Sequence, residues 1–264
     1  MPNWIRRQGC VGRLLNVIEL MSITSRLTAF LAKRLGQYPE EIGVSSLASN
    51  FKSSYGYLAS VKAQRPINAR GNPIPWFTYP AIEYLESLDL VGANIFEWGS
   101  GNSSAYFSER CLSIESIESD EEWYEYQLKI ARPNQVIKLK QEASDVYPCA
   151  INEGEHPAYD IIIIDGKQRV RCCSEAIAKL GRGGILILDN SDWYPRLCES
   201  LRRKNFVQID FHGHGPINPY TWSTSIFMPC IDTTCQESLL FKKCSESYFS
   251  KSGLVQAAED DGPI

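Results

Sequence analysis

Short apolar runs alternate with amphipathic ones through the middle of the chain. Ile95-Phe96-Glu97-Trp98 reads as a strand, residues 102–109 as a helix, 112–117 as a second strand and 121–130 as a helix rich in Trp and Tyr. Residues 135–139 give a third strand. Residues 160–165 (Asp-Ile-Ile-Ile-Ile-Asp) give a fourth with no polar residue between its ends, and 184–188 a wholly apolar fifth. Runs of that kind are buried on both faces, as parallel-sheet strands are. Helices over 169–180 and 193–204 and strands over 206–211 and 222–228 complete the series. Strands alternating with helices of about ten residues define βαβ units and a mostly parallel sheet. The last two strands lack an intervening helix. Their link, residues 213–220, carries two glycines and two prolines, which suits an antiparallel pair.

The flanks follow other patterns. Leu14, Leu15, Ile18, Met21, Leu27, Phe30, Leu31 and Leu35 recur at a spacing that suits one or two amphipathic helices. Residues 37–80 are punctuated by Gly, Ser, Asn and Pro. The stretch 71–80 holds three prolines and three aromatics, so it reads as an ordered loop, a lid or a pocket wall. A helix follows over 80–88, with Ile82, Leu85 and Leu88 toward the core. Residues 231–264 lose periodicity and end in an acidic run, the pattern of a loosely attached tail. The expected organisation is an N-terminal helical extension and loop (1–75), an α/β core (76–230) and a C-terminal tail (231–264).

Composition narrows the class. With 264 residues, 44% hydrophobic and 22% charged, the chain is not a disordered, collagenous or multi-span membrane sequence. The net charge of −4 gives no reason to expect a nucleic-acid partner. Charge is uneven, however. Residues 1–36 hold six cations against Glu19 alone, so that basic segment could pack on the core or a second subunit, or rest on an anionic membrane surface. The nine cysteines are odd in number and none stands at C-x-x-C spacing. This disfavours a thiolate zinc site or a disulfide framework. No run of about 18 apolar residues exists, and no leader-like apolar segment opens the sequence. The expected compartment is the cytoplasm.

The chemistry concentrates where strands end. Phe96-Glu97-Trp98-Gly99-Ser100-Gly101-Asn102-Ser103-Ser104 joins the first sheet strand to its helix. Glycines there let the backbone turn and approach a ligand, and ligands of open α/β sheets bind at such carboxyl ends. About 20 residues on, Glu118 ends the second strand, where an acid accepts from ribose hydroxyls. A dinucleotide fingerprint would place a third glycine at Ser104. It would not place Glu97 ahead of the loop, because a carboxylate repels pyrophosphate. The pattern points to a ligand that brings adenosine and positive charge. Asp165 and Asp189-Asn190 end the fourth and fifth strands at the same sheet edge. His212 and His214 flank Gly213, His156 precedes strand four, and Arg169 and Arg171 could meet an anionic group or solvent.

These residues resemble the class I S-adenosylmethionine-dependent methyltransferases, over about residues 75–230. The resemblance implies a three-layer Rossmann-like fold with a seven-stranded, mostly parallel sheet whose last strand is antiparallel. It also implies cofactor contacts from Glu97, Gly99, Ser100, Gly101, Asn102, Ser103 and Ser104, and a ribose contact from Glu118 (with Asp120 as rival) beside Ser119. Glu142 and Ala143 would lie near adenine, and Asp165 would border the site. Asp165, Asp189, Asn190 and Lys167 also match the pattern of the catechol-type O-methyltransferases. There the two acids and the amide hold a divalent cation, Mg²⁺ for oxygen ligands of this kind, and a Lys acts as base. Asp165, Lys167 and Asp189 are thus the candidate catalytic residues. Trp76, Phe77 and Tyr79, in a stretch similar to one in a bacterial subgroup of the family, would close an acceptor pocket, and Trp98 would stack nearby. The expected reaction is methyl transfer to a small-molecule or sugar-like acceptor, at oxygen. The alternatives are a nicotinamide-dependent oxidoreductase on a similar sheet and a non-catalytic nucleotide-binding protein.

Overall fold

The structure, a computed structural model, describes residues 39–230. The expected basic helices before residue 37 and the expected tail after residue 230 lie outside the described residues. The chain divides into two units, Met1–Lys52 and Ser53–Ile264. Helix α1 (Pro39–Ser53) ends at that boundary.

The larger unit begins with helices α2 (Tyr57–Ala63) and α3 (Tyr79–Glu86). The alternating core follows: β1 (Asn94–Trp98), α4 (Asn102–Ser108), β2 (Ser113–Glu118), α5 (Glu121–Ile130), β3 (Gln135–Leu139) and α6 (Val146–Cys149). It continues with β4 (Tyr159–Ile164), α7 (Arg169–Lys179), β5 (Leu180–Leu188), α8 (Pro195–Arg203), β6 (Phe206–Gly213) and β7 (Trp222–Pro229). The seven strands form one sheet in the order β3-β2-β1-β4-β5-β7-β6. β7 runs antiparallel to both of its neighbours, β5 and β6, and against the direction of the other described strands. This is the Rossmann-like sheet, antiparallel last strand included, that the resemblance implies. The strand order reverses between β1 and β4, so the crevice of an open sheet falls outside their carboxyl ends.

Alternation along the central strands explains the layers. Phe96 and Trp98 of β1, Ile162 and Ile164 of β4, and Leu186 and Leu188 of β5 enter one buried cluster with Cys172, Cys173 and Ala176 of α7 and Cys198 and Leu201 of α8. The residues between them, Ile95, Ile161, Ile163, Ile185 and Ile187, are equally buried on the opposite face. Glu97 belongs to that second face, in register with Ser116 of β2 and Ile163 of β4. A carboxylate in such a core costs several kcal/mol unless hydroxyls or N–H groups satisfy it.

Some boundaries differ from the expected ones. β5 begins at Leu180, because Leu180 pairs with Tyr159 across an irregularity before Ile161 and the glycines between follow the sheet. Pro195 starts α8 at its first turn, leaving Ser191–Trp193 as a separate 3-10 turn. The short helices α2 and α6 give too few turns for periodicity to reveal. Among the described residues no helix is long and apolar enough to cross a membrane.

Candidate active site

The glycine loop is tied to both acids beside it. Gly99 takes a positive φ of 95° and donates its N–H to Ile117 O at 2.8 Å. Its Cα side abuts Gly166 of the β4 loop: a Cβ on Gly166 would stand 2.9 Å from Gly99 N and 2.1 Å from the Tyr147 hydroxyl. Gly101, in contrast, faces space, since a Cβ there would meet only the Trp123 ring at 3.9 Å. Beneath the loop, Glu97 is fully buried. Its Oε2 accepts from the Ser104 and Ser116 hydroxyls, and Ser104 Oγ in turn accepts the Gly101 N–H at 3.0 Å. Its Oε1 is buried with no donor in hydrogen-bond geometry, although the Ser103 hydroxyl is close enough to draw the acid's pKa down. Burial pushes the Glu97 carboxyl up to about 7, against the pull of the Ser103, Ser104 and Ser116 hydroxyls and with the push of the Asp165 charge.

Glu118 is held from above. Its Oε2 accepts the Ser100 N–H at 3.1 Å and the Ser100 hydroxyl at 2.8 Å; its Oε1 accepts the N–H groups of Ser119 and Asp120 at 2.7 and 2.9 Å. Trp123 covers this corner and donates its indole N–H to Ser100 O at 2.7 Å. Asp120, the rival acid, caps α5 instead by accepting the Trp123 N–H at 2.8 Å. Asn102 donates its side-chain amide to Pro66 O, which ties the loop to the segment before α3.

Three strand-end groups meet at the β4–β5 end. Arg169, at the start of α7, donates Nε to Gly166 O at 3.0 Å. Its Nη2 bonds Asp165 O at 2.8 Å and Asp165 Oδ1 at 3.1 Å. Its Nη1 bonds Asp189 O and, at 3.0 Å, Asn190 Oδ1. That uses all five guanidinium donors. Arg169 is therefore neither on a solvated face nor available to an anionic substrate. The Asp189 carboxylate turns toward β7, where Oδ1 accepts the Trp222 indole N–H at 3.0 Å and the Thr224 hydroxyl at 2.5 Å. Burial, then the Asp165 charge, pushes Asp189 well above the usual carboxylate range. Burial lifts Asp165 to about 6 against the Arg169 charge.

The Mg²⁺ expectation does not fit this donor set. A guanidinium already occupies the place where Asp165, Asn190 and the Asp189 backbone converge, and Asp189 Oδ1 is engaged by Trp222 and Thr224. Among the described residues no group of three or more His, Cys, Asp or Glu stands ready for a metal ion.

The other candidates fall around this edge. Lys167 is mostly exposed, 3.8 Å from the Glu142 carboxylate. Glu142 and Ala143 are exposed beyond β3, and Gln168 donates to Glu142 O. Trp98 is in the core and donates its indole N–H to Tyr147 O at 3.0 Å. Phe77 and Tyr79 are buried, Tyr79 against the Tyr55 ring at 4.6 Å, while Trp76 is 42% exposed. Thr78 pins this stretch to the last strands: its N–H donates to Thr224 Oγ1 at 3.0 Å and its hydroxyl to Phe211 O at 2.9 Å. His212 Nδ1 meets the Ser223 hydroxyl, and His156 meets Ser113 Oγ at 3.0 Å at the far end of β2. Thr78, Trp123, Trp222 and Thr224 bond to the candidate residues or anchor the segments that carry them, and sequence reading did not single them out. Arg169 carried a readable signal, since it stands four residues after the strand-ending Asp165.

No family model matches the chain, and no curated protein does. Solved structures do resemble it. An rRNA methylase from Streptococcus thermophilus is 12% identical, with 57% of this chain and 95% of that chain covered at a TM-score of 0.42. Precorrin-6y C5,15-methyltransferase from Geobacter metallireducens is 14% identical, covering 58% and 88% at 0.43. Precorrin 8w decarboxylase from Methanobacterium thermoautotrophicum is 15% identical, covering 63% and 97% at 0.41. The strand order and the antiparallel last strand define the architecture by themselves: the chain has the Rossmann-like fold of the class I methyltransferases. Fold leaves the reaction open.

Proposed function

We propose that the protein binds S-adenosylmethionine at the β1–β2 loops and transfers its methyl group to an oxygen of a small-molecule or sugar-like acceptor. The observation that carries this reading is Glu97: a fully buried carboxyl, directly beneath a glycine loop, with one oxygen that no donor meets in hydrogen-bond geometry. Such an oxygen calls for a cation or a donor. When bound, the cofactor supplies an ammonium, a sulfonium methyl and a ribose diol.

Glu97 provides the negative potential for that positive charge. Gly101 leaves the approach clear. Glu118 exchanges the Ser100 hydroxyl for a ribose hydroxyl, one neutral donor for another. Methyl transfer to a hydroxyl also requires a proton to leave the oxygen. Asp165 is suited to accept it, with a pKa of about 6 and greater exposure than Asp189. Asp189, whose pKa burial raises, accepts from Trp222 and Thr224 and orders them. The exposed Trp76 lies on the anchored stretch and offers an aromatic surface to an acceptor.

A thermal melt tests the cofactor assignment. S-adenosylhomocysteine at about 100 times its dissociation constant stabilises by about 2.7 kcal/mol, a rise of roughly 5–10 °C for a chain of this size. NAD gives none. A flat response to saturating S-adenosylhomocysteine overturns the reading. Transfer of labelled methyl across a panel of hydroxylated small molecules, with RNA as a control, then tests the acceptor.

A further inference from the structure

The β4–β5 end of the site gathers five oxygens around one point: Asp165 O and Oδ1, Gly166 O, Asp189 O and Asn190 Oδ1. Two come from side chains and three from the backbone of two loops that leave different strands. Carbonyl and carboxylate oxygens converge in this way around a cation, because their dipoles repel one another otherwise. Here the cation is part of the chain. The Arg169 side chain is only 11% exposed, every N–H has an acceptor, and the Tyr194 ring lies 5.7 Å from its Cζ. A planar fork with five fixed donors suits such a set better than lysine's point charge.

We propose that Arg169 is a resident cation that stands in place of a divalent metal, holding the β4 and β5 loops in one arrangement so that Asp165 faces the acceptor without metal assistance. This assignment of Arg169 as a positioning residue rests on the methyltransferase reading only for what the acceptor is. The displacement of metal by guanidinium rests on the five bonds alone. Removing the side chain leaves an oxygen-rich cavity of the kind that hard divalent cations enter.

The test compares wild type, Arg169→Ala and Arg169→Lys by Mn²⁺ titration (electron paramagnetic resonance) and by thermal melts with Mn²⁺, Mg²⁺ or chelator. Wild type is expected to bind no Mn²⁺ at this site and to melt at one temperature in all three conditions. Arg169→Ala is expected to melt several degrees lower, to bind one Mn²⁺ per chain and to regain part of the loss with Mn²⁺ or methylguanidinium. Arg169→Lys is expected to melt between the two without binding Mn²⁺. Stoichiometric Mn²⁺ binding by wild type that Asp165→Asn abolishes would overturn the proposal. So would a folded Arg169→Ala that neither binds Mn²⁺ nor responds to methylguanidinium. Should Arg169→Ala fail to fold, the wild-type titration and Arg169→Lys decide: Mn²⁺ binding by either overturns it. The melt with S-adenosylhomocysteine runs alongside. A flat response there, with the metal pattern as expected, removes the methyltransferase reading and leaves the cation assignment standing.

Discussion

At the β1–β2 end of the sheet edge, Glu97 and Glu118 are held by hydroxyls and backbone N–H groups. At the β4–β5 end, Asp165 and Asn190 are held by a guanidinium. The two ends share a strand-end acid chemistry and differ in what satisfies it. Neutral hydroxyls can be exchanged for those of a ligand at little net cost, since one hydrogen bond replaces another. A buried guanidinium with all donors engaged cannot be exchanged, because its removal leaves charges unpaired. On the proposed reading, then, the first end admits a ligand and the second is complete before one arrives.

The largest test of this contrast is where the two ends touch. Gly166→Ala drives a Cβ to 2.1 Å from the Tyr147 hydroxyl and 2.9 Å from Gly99 N. Neither a ring hydroxyl on a buried Tyr nor a backbone N–H gives way easily. The expected cost is about 3 kcal/mol, read as a fall of roughly 6–12 °C in melting temperature. A melt unchanged within a degree would mean that the two loops are not in contact.

Next comes the pH dependence of Glu97. With its carboxyl raised from 4.5 to about 7, the fold binds an extra proton between those values. Stability from this group is thus complete below about 4.5 and is lost as pH rises through about 7. At 1.36 kcal/mol per unit the loss is about 3 kcal/mol. Glu97→Gln should flatten the difference in chemical denaturation between pH 5 and 8 by that amount. A ligand ammonium set beside Glu97 favours the ionised form, so the affinity for S-adenosylhomocysteine, which carries that ammonium, should rise over the same interval in wild type and not in Glu97→Gln. Equal slopes in both proteins would refute the assignment.

Much of this was legible beforehand, for physical reasons. The apolar runs of β1, β4 and the second half of β5 are buried on both faces, so these segments follow from composition, while the glycine-rich start of β5 did not show itself; the strand-ending acids fall where chain direction puts them. Glu118 was separable from Asp120 only in three dimensions, where Asp120 caps a helix. Tyr79 and Trp98 carried no sign of being core residues rather than pocket walls, because aromatic side chains suit both. Most of what holds Asp189 is contributed by β7, more than thirty positions away, and no local pattern announces a contact of that range. What meets the strand-end oxygens was hidden for a similar reason. Three oxygen-bearing residues imply a cation without saying whether it is an ion or a side chain.

A smaller effect separates shape from charge at the admitting end. Gly101 has extended backbone, φ 170°, and open space before it. Gly101→Val should therefore melt near wild type while its branched methyls intrude on the ligand. The expected loss is about 2 kcal/mol of affinity, near 30-fold, measured by calorimetric titration of S-adenosylhomocysteine. Unchanged affinity would place the ligand elsewhere.

The smallest expected effect tests the exchange itself. The Ser100 hydroxyl sits on Glu118 Oε2 at 2.8 Å, the position assigned here to a ribose hydroxyl, while the Ser100 N–H holds the same oxygen at 3.1 Å. Ser100→Ala removes the competitor and keeps the backbone donor. If a ligand displaces the hydroxyl, the free protein loses a hydrogen bond worth about 1 kcal/mol and the complex loses nothing. Affinity should then tighten by up to about fivefold as the melting temperature of the free protein falls slightly. A weakened affinity would instead mean that the Ser100 hydroxyl binds the ligand directly. Glu118 would then keep its four donors throughout, and its role would be to hold the loop.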